Sequence, residues 1–143
     1  MIRNYSRLLT LVFLPLAVTA CATSGPGEEA LLQEGAVRLN PDQVRAHVTG
    51  KTESWRHGGG YYKDETNIRV KWLKAYQNGT WQVKDDGTLC FELPSFSRCH
   101  FYMNKDGKIL MMDEGINMGE RVMYDGDNLN ALGRYPAGSG RKR

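Results

Sequence analysis

The sequence predicts a mainly β protein: an antiparallel meander closed into a small barrel or sandwich, with a short N-terminal helix. Two observations carry this. Four dipeptides, Asn78-Gly79, Asp86-Gly87, Asp106-Gly107 and Asp125-Gly126, punctuate the second half of the chain. Such pairs tolerate the positive φ angles of tight hairpin turns. Gly58 to Gly60, Pro94 to Ser97 and Gly115 to Gly119 supply further breaks. Turn signals thus recur every ~8–12 residues, the spacing of an all-β sandwich or barrel. The second observation is Cys90 and Cys99, a pair that faces itself across the Pro94-Ser95 turn.

The helix is "LNPDQVRAHVTG". Asn40 is its N-cap, Pro41 its first residue, Gln43 the partner in a capping box and Gly50 its terminator, with Val44 and Val48 as the apolar stripe. It is placed to close one end of a barrel or cover the sheet. Glu28 to Glu34 is long enough for a turn or two more, and "NLNALGRY" for another near the end.

Two-residue turns fix a register. Tyr76 faces Trp81 about Asn78-Gly79, Val83 faces Cys90 about Asp86-Gly87, and Cys90 faces Cys99. Phe101 then faces Met112, and Met103 faces Leu110, about Asp106-Gly107. Side chains alternate along strands, so one face collects Ile68, Val70, Trp72, Tyr76, Trp81, Val83, Cys90, Cys99, Phe101, Met103, Leu110 and Met112. The other face is polar, with Leu73, Leu89, Phe91, Tyr102 and Met111 as apolar exceptions.

The first twenty residues read as a secretory leader. Arg3 and Arg7 precede an apolar run from Leu8 to Val18, and Val18-Thr19-Ala20 offers small residues to a peptidase. The run falls short of the ~20 residues of a spanning helix. "VTAC" resembles the lipobox of bacterial lipoproteins. That resemblance implies that Cys21 becomes the acylated mature N-terminus, and Ala22 after it implies sorting to the outer membrane, facing the periplasm. Several acyl chains anchor stably where one does not. The remaining cysteines, Cys90 and Cys99, are an even pair in an exported chain and read as a disulfide. Closing so short a loop stabilises by ~2.5 kcal/mol.

The 143-residue chain therefore divides into a leader (1–20), a flexible tether (21–38), a β-rich domain (39–133) and a basic flexible tail (134–143). Cleavage lowers Lys plus Arg from 19 to 17 against 16 acidic residues, so the mature charge is about +1. Both signs are spread evenly, which is not the concentrated basic face of a nucleic-acid binder.

Chemistry is sparse. "HGGGY", His57 to Tyr61, is similar to the oxyanion loop of lipases, but no G-x-S-x-G elbow accompanies it, so it reads as a hairpin connection. His100 falls opposite Asp113 with Ser95 and Ser97 nearby, an arrangement that reads as a cross-strand ion pair rather than a triad. Five methionines from Met103 to Met123 read as core filler rather than metal ligands. No cofactor, metal or catalytic residue is expected. Lys74 and Glu92 fall on the core face, where a charge must be paired or sit at a wet mouth. An inward Lys-Glu pair would orient a polar ligand in a calycin-like pocket; the plainer reading sets both at strand ends or a bulge, reaching solvent.

From Leu39 to about residue 125, "LNPDQVRAHVTGKT", "NGTWQVKDDGTLCFEL" and "CHFYMNKDGKIL" resemble a family of short exported bacterial proteins, domain of unknown function nine-nine-five. The resemblance implies a compact β-rich domain and no known activity. The leading expectation is a lipid-anchored, non-enzymatic binding module. Its membrane contact is the lipid on Cys21, and its partner is a small ligand or an envelope component at Trp72, Lys74, Tyr76, Trp81 and Glu92. The alternative is a structural or interaction lipoprotein with a filled core, acting through a patch of Leu89, Phe91 and Tyr102. A small hydrolase ranks last.

Overall fold

The computed structural model describes residues 25–132. The leader, Cys21 and the tail 134–143 lie outside the described residues. The chain runs α1 (Glu28–Gln33), β1 (Val37–Arg38), α2 (Pro41–Val48), β2 (Lys51–Trp55), β3 (Gly58–Tyr62), β4 (Asn67–Trp72), β5 (Ala75–Val83), β6 (Leu89–Glu92), β7 (Ser97–Lys105), β8 (Lys108–Asp113), β9 (Ile116–Glu120), β10 (Met123–Asp125) and a 3-10 turn at Leu129–Ala131. The ten strands form one antiparallel sheet in the order β10-β2-β3-β4-β5-β6-β7-β8-β9, with β1 added along β7. Its two edge strands, β9 and β10, are joined by Arg121 and Val122 alone. The sheet therefore curls into a half-barrel, as right-handed twist accumulated over many strands favours.

α2 forms where the sequence places it. Asn40 Oδ1 accepts from the Gln43 amide at 2.9 Å, and the Gln43 side chain accepts from the Asn40 amide at 2.9 Å. The reciprocal pair satisfies two amides that the first turn leaves free. Val44 and Val48 are fully buried against the concave face of the sheet, among Tyr62, Ile68, Val70, Trp81, Leu89, Phe91, Tyr102 and Met111. That cluster fills the half-barrel.

The register departs from expectation at two turns. The β4–β5 reversal is at Leu73-Lys74, where Trp72 pairs with Ala75. Asn78-Gly79 lies inside β5, so Tyr76 faces Lys71 and Trp81 faces Phe91. Gly79 answers to close approach rather than to turning, because a Cβ there would sit 2.0 Å from the Glu92 carbonyl oxygen. At the next turn, Lys84 N–H donates to Thr88 across a three-residue loop in which Gly87 has φ +79°. Val83 consequently pairs with Leu89, and Gln82 with Cys90. The slip is one residue, and one residue exchanges the faces of a strand. Cys90–Cys99, Phe101–Met112 and Met103–Leu110 pair as expected. Leu89, Phe91 and Tyr102 now point inward, and the cysteines outward. Cys90 and Cys99 are joined as a disulfide, with Cα atoms 4.0 Å apart.

The outward face of β7 and β8 is apolar for a separate reason. α1 lies over it, and Leu31 and Ala36 bury Met103 and Met112 in a second, smaller core. The fold thus takes in α1, and residues 28–38, assigned above to the tether, form α1 and β1 with Leu31 and Ala36 buried. The "HGGGY" glycines form β3 and hydrogen-bond in register with β2 and β4.

Gly79→Ala is expected to part β5 from β6 and destabilise the domain by about 2 kcal/mol, the range of overpacked sites. Urea denaturation checks this. An unchanged midpoint would contradict the close approach at Gly79.

Candidate functional site

The strand "KTESW" places Glu53 and Trp55 on one face and Thr52 and Ser54 on the other. The concave face takes Trp55, whose ring stacks on Phe91 at 5.9 Å, and so also takes Glu53. Glu53 is wholly buried. A buried carboxylate must be paired and hydrogen-bonded, and Glu53 has an ion pair on one oxygen and hydrogen bonds on the other. Oε1 lies 3.2 Å from Nε of Arg121, itself nearly buried. Oε2 accepts from the Tyr62 hydroxyl at 3.2 Å and from the Tyr102 hydroxyl at 3.4 Å. His100 Nε2 lies 3.0 Å from the Tyr102 hydroxyl. Because Tyr102 donates to Glu53, its oxygen is free to accept from His100, and the neutral Nε2–H tautomer completes the chain.

The electrostatics agree with that assignment. Burial first, and the Glu53 charge second, hold both tyrosines well above their usual 10, so they stay protonated donors. Burial pulls His100 below its usual 6.5, against the attraction of Glu53 and Asp113. His47 on α2, edge-on to Tyr102 at 5.2 Å, is lowered for the same leading reason. Asp113, the expected partner of His100, is taken by Arg98. The Ser95 hydroxyl donates to Gln77 at 2.7 Å. The residues of the triad arrangement are therefore engaged separately. The network is an anchored polar core, in which hydrogen bonds hold Glu53 Oε2 and an ion pair holds Oε1.

The expected ligand residues do not converge on an interior pocket. Trp81 is in the filled core, where its indole N–H donates to the Asp64 carbonyl at 2.8 Å. Tyr76 stands on the outer face, bonded to Asn130 at 2.5 Å and covered by the Arg69 guanidinium at 4.7 Å. Glu92 is exposed beside Cys90 on that outer face, and Lys74 is exposed at the β4–β5 tip. The inward Lys74–Glu92 pair is thus corrected: the turn at Leu73-Lys74 removes the lysine from the strand, and the one-residue slip turns the glutamate outward. Trp72 is half-exposed at the rim. The expected partner patch is corrected for the same reason, since Leu89, Phe91 and Tyr102 are core.

Clefts open to solvent lie elsewhere among the described residues. One, of about 490 Å³, is lined by Tyr61, Lys63, Arg69, Tyr76, Asn78 and Asp127, among others. Another, of about 580 Å³, runs between α2 and the β7–β8 turn, past Arg38, Gln43 and His47. Sequence reading missed Glu53, Tyr62 and Arg121. The signal for Glu53 was present: a strand that sends a tryptophan inward sends its neighbour two places away inward too. Arg121 carries no such pattern, since only closure of the sheet brings it to β2.

A family model described as Protein of unknown function (DUF995) matches residues 13–110, more than half of the chain. No curated protein matches. No solved structure matches.

A histidine whose folded pKa is depressed contributes stability above its unfolded value of 6.5, and that contribution is lost as pH falls through 6.5 towards the folded value. Stability of this domain should therefore drop between pH 7 and pH 5, by up to ~1.4 kcal/mol per pH unit for each histidine. The window stands clear of Asp64, which hydrogen bonds from Thr66 and Asn67 hold at about 2. His100→Gln should flatten the profile in thermal melts over that range. A slope unchanged by the substitution would contradict the buried neutral His100.

Proposed function

The chain belongs to the DUF995 family, and we propose that it is a lipid-anchored, non-enzymatic module of the bacterial cell envelope that acts through its surface. Cys21 carries the lipid in this reading, and the domain faces the periplasm from the outer membrane. The observation that carries the surface role is the filled concave face. Val44 and Val48 of α2, with Trp81, Phe91 and Tyr102 of the sheet, occupy the space a calycin-type ligand would need. Supporting the export reading, the family match begins at residue 13, inside the apolar leader, and takes in Cys21. The outward disulfide suits an oxidising compartment. His100 buried against Tyr102, with Asp113 paired to Arg98, supports a non-enzymatic role.

A second reading, a carrier of a small anionic ligand, is favoured by one feature. The cleft beside Tyr76 brings Lys63 and Arg69 together with an aromatic face, a combination suited to a charged, planar group. Arg69 already pairs with Asp127 at 3.4 Å, which competes with such a ligand.

Masses of the purified protein under native and denaturing conditions discriminate the readings. The surface module predicts the same mass in both, with acyl chains on Cys21. A mass increment lost on denaturation would favour the carrier. Cys21→Ala should remove the acyl mass and release the chain from the membrane fraction. Retention there would contradict the anchor.

A further inference from the structure

The meander sorts its loops to two ends. One end carries the Arg56-His57, Leu73-Lys74, Leu93 to Phe96 and Glu114-Gly115 reversals, and the other carries residues 63–66, 84–88 and 106–107. The second end is charged: Lys63, Glu65, Lys84, Asp85, Asp86 and Asp106 stand exposed there. The first end is apolar at its tips. Leu73 is 64 % exposed, Ile116 49 %, Trp72 45 % and Phe96 41 %. Its charges, Arg56 and Lys74 against Glu92 and Glu114, balance.

The tips at this end form one connected rim. Leu73 N–H donates to the His57 carbonyl at 2.7 Å, and His57 stands edge-on to Trp72 at 5.9 Å. The Ser95–Gln77 bond ties the β6–β7 tip to β5, and the Arg98–Asp113 ion pair ties β7 to the end of β8. Leu73 holds a left-handed φ of +56°. That conformation disfavours a bulky side chain, and glycine or asparagine adopts it more easily. Strain of this kind concentrates where a side chain has a task beyond folding. Here it presents leucine to solvent at the outermost point of a turn.

The described chain also starts at this end. A Cβ on Gly25 would lie 2.9 Å from the Asn117 side chain, and one on Gly27 would lie 3.4 Å from the Gly115 carbonyl oxygen. Cys21 is four residues before Gly25. Four residues span at most ~14 Å. A lipid on Cys21 would thus hold the apolar end, not the charged one, against the bilayer. We propose that the rim of Trp72, Leu73, Phe96 and Ile116 is a membrane-docking surface whose occupant is the bilayer interface to which the chain is anchored. Tryptophan suits the headgroup boundary, phenylalanine and leucine suit the shallow apolar layer beneath it, and the exposed Arg56 and Lys74 are long enough to meet headgroups. The tether makes docking intramolecular, so a small apolar rim suffices. The inference rests on the anchored reading of Cys21.

The test uses the full-length lipidated protein in phosphatidylethanolamine–phosphatidylglycerol vesicles, with and without brominated acyl chains. Bromine quenches indoles at the interface. Trp81 is in the core and Trp55 is packed against it, so Trp72 is the reporter. Emission should fall in brominated vesicles by up to the share that Trp72 contributes, roughly a third if the three indoles emit alike. The fall should vanish in Trp72→Phe and shrink in Leu73→Asp, a substitution that the exposed turn accommodates. A chain bound to the vesicles whose emission ignores bromine overturns the docking surface alone, and leaves the rim to a protein partner. A chain that leaves the vesicles with Cys21 intact overturns the anchor and the docking together.

Discussion

A buried ion pair, Glu53 with Arg121, bridges the two margins of the curled sheet. Glu53 sits on β2, next to one edge of the sheet, and Arg121 directly follows β9, the other edge. Between them runs the whole meander. An open sheet with two free edges would present unpaired strands to solvent. Here the edges are brought together by a two-residue link and by a carboxylate and guanidinium shielded from water. Such a pair adds little over a well-packed apolar substitute, but removing one partner strands a charge and costs about 3–5 kcal/mol. Its role is therefore to specify one curvature. Tyr62, Tyr102 and His100 follow from it, because the second carboxylate oxygen needs donors, and their positions set how α2 packs.

Once the curvature is set, the interior has no room to spare. α2 docks into the concave face with Val44 and Val48, and the aromatic side chains close around it. α1 does the same on the outside of β7 and β8. The stretches Phe101 to Met103 and Leu110 to Met112 are thus covered from both sides, which explains why each is an unbroken apolar run. What is left for recognition is the surface and the ends of the half-barrel. Their asymmetry, apolar tips at one end and charged loops at the other, is a property of the sequence of the turns.

Much of this was legible from residues alone. The capping box at Asn40 and Gln43, the type of the sheet, the Cys90–Cys99 pair and the Asp106-Gly107 hairpin all rest on local chemistry, and local chemistry decides them. The face of β6 and β7 was not legible. It depended on whether Asp86-Gly87 closes a two- or a three-residue loop, and both loops accept glycine at positive φ. One residue moved Leu89, Phe91 and Tyr102 from surface to core. The Leu73-Lys74 turn was hidden because it uses a leucine where turn chemistry calls for glycine, asparagine or aspartate. Arg121 was hidden because its partner is 68 positions away in the chain. Only sheet closure, which is not a local property, brings the two together.

The most direct test of this account is a double-mutant cycle across the seam, with Glu53→Gln, Arg121→Met and both together, read as unfolding free energy in urea. If the pair fixes the curvature, the two changes will be strongly non-additive. Each alone is expected to strand a buried polar group, and the double variant to recover part of the loss, with a coupling of about 2 kcal/mol. Additive changes would mean that Glu53 and Arg121 act independently, and the half-barrel would have to owe its closure to packing alone.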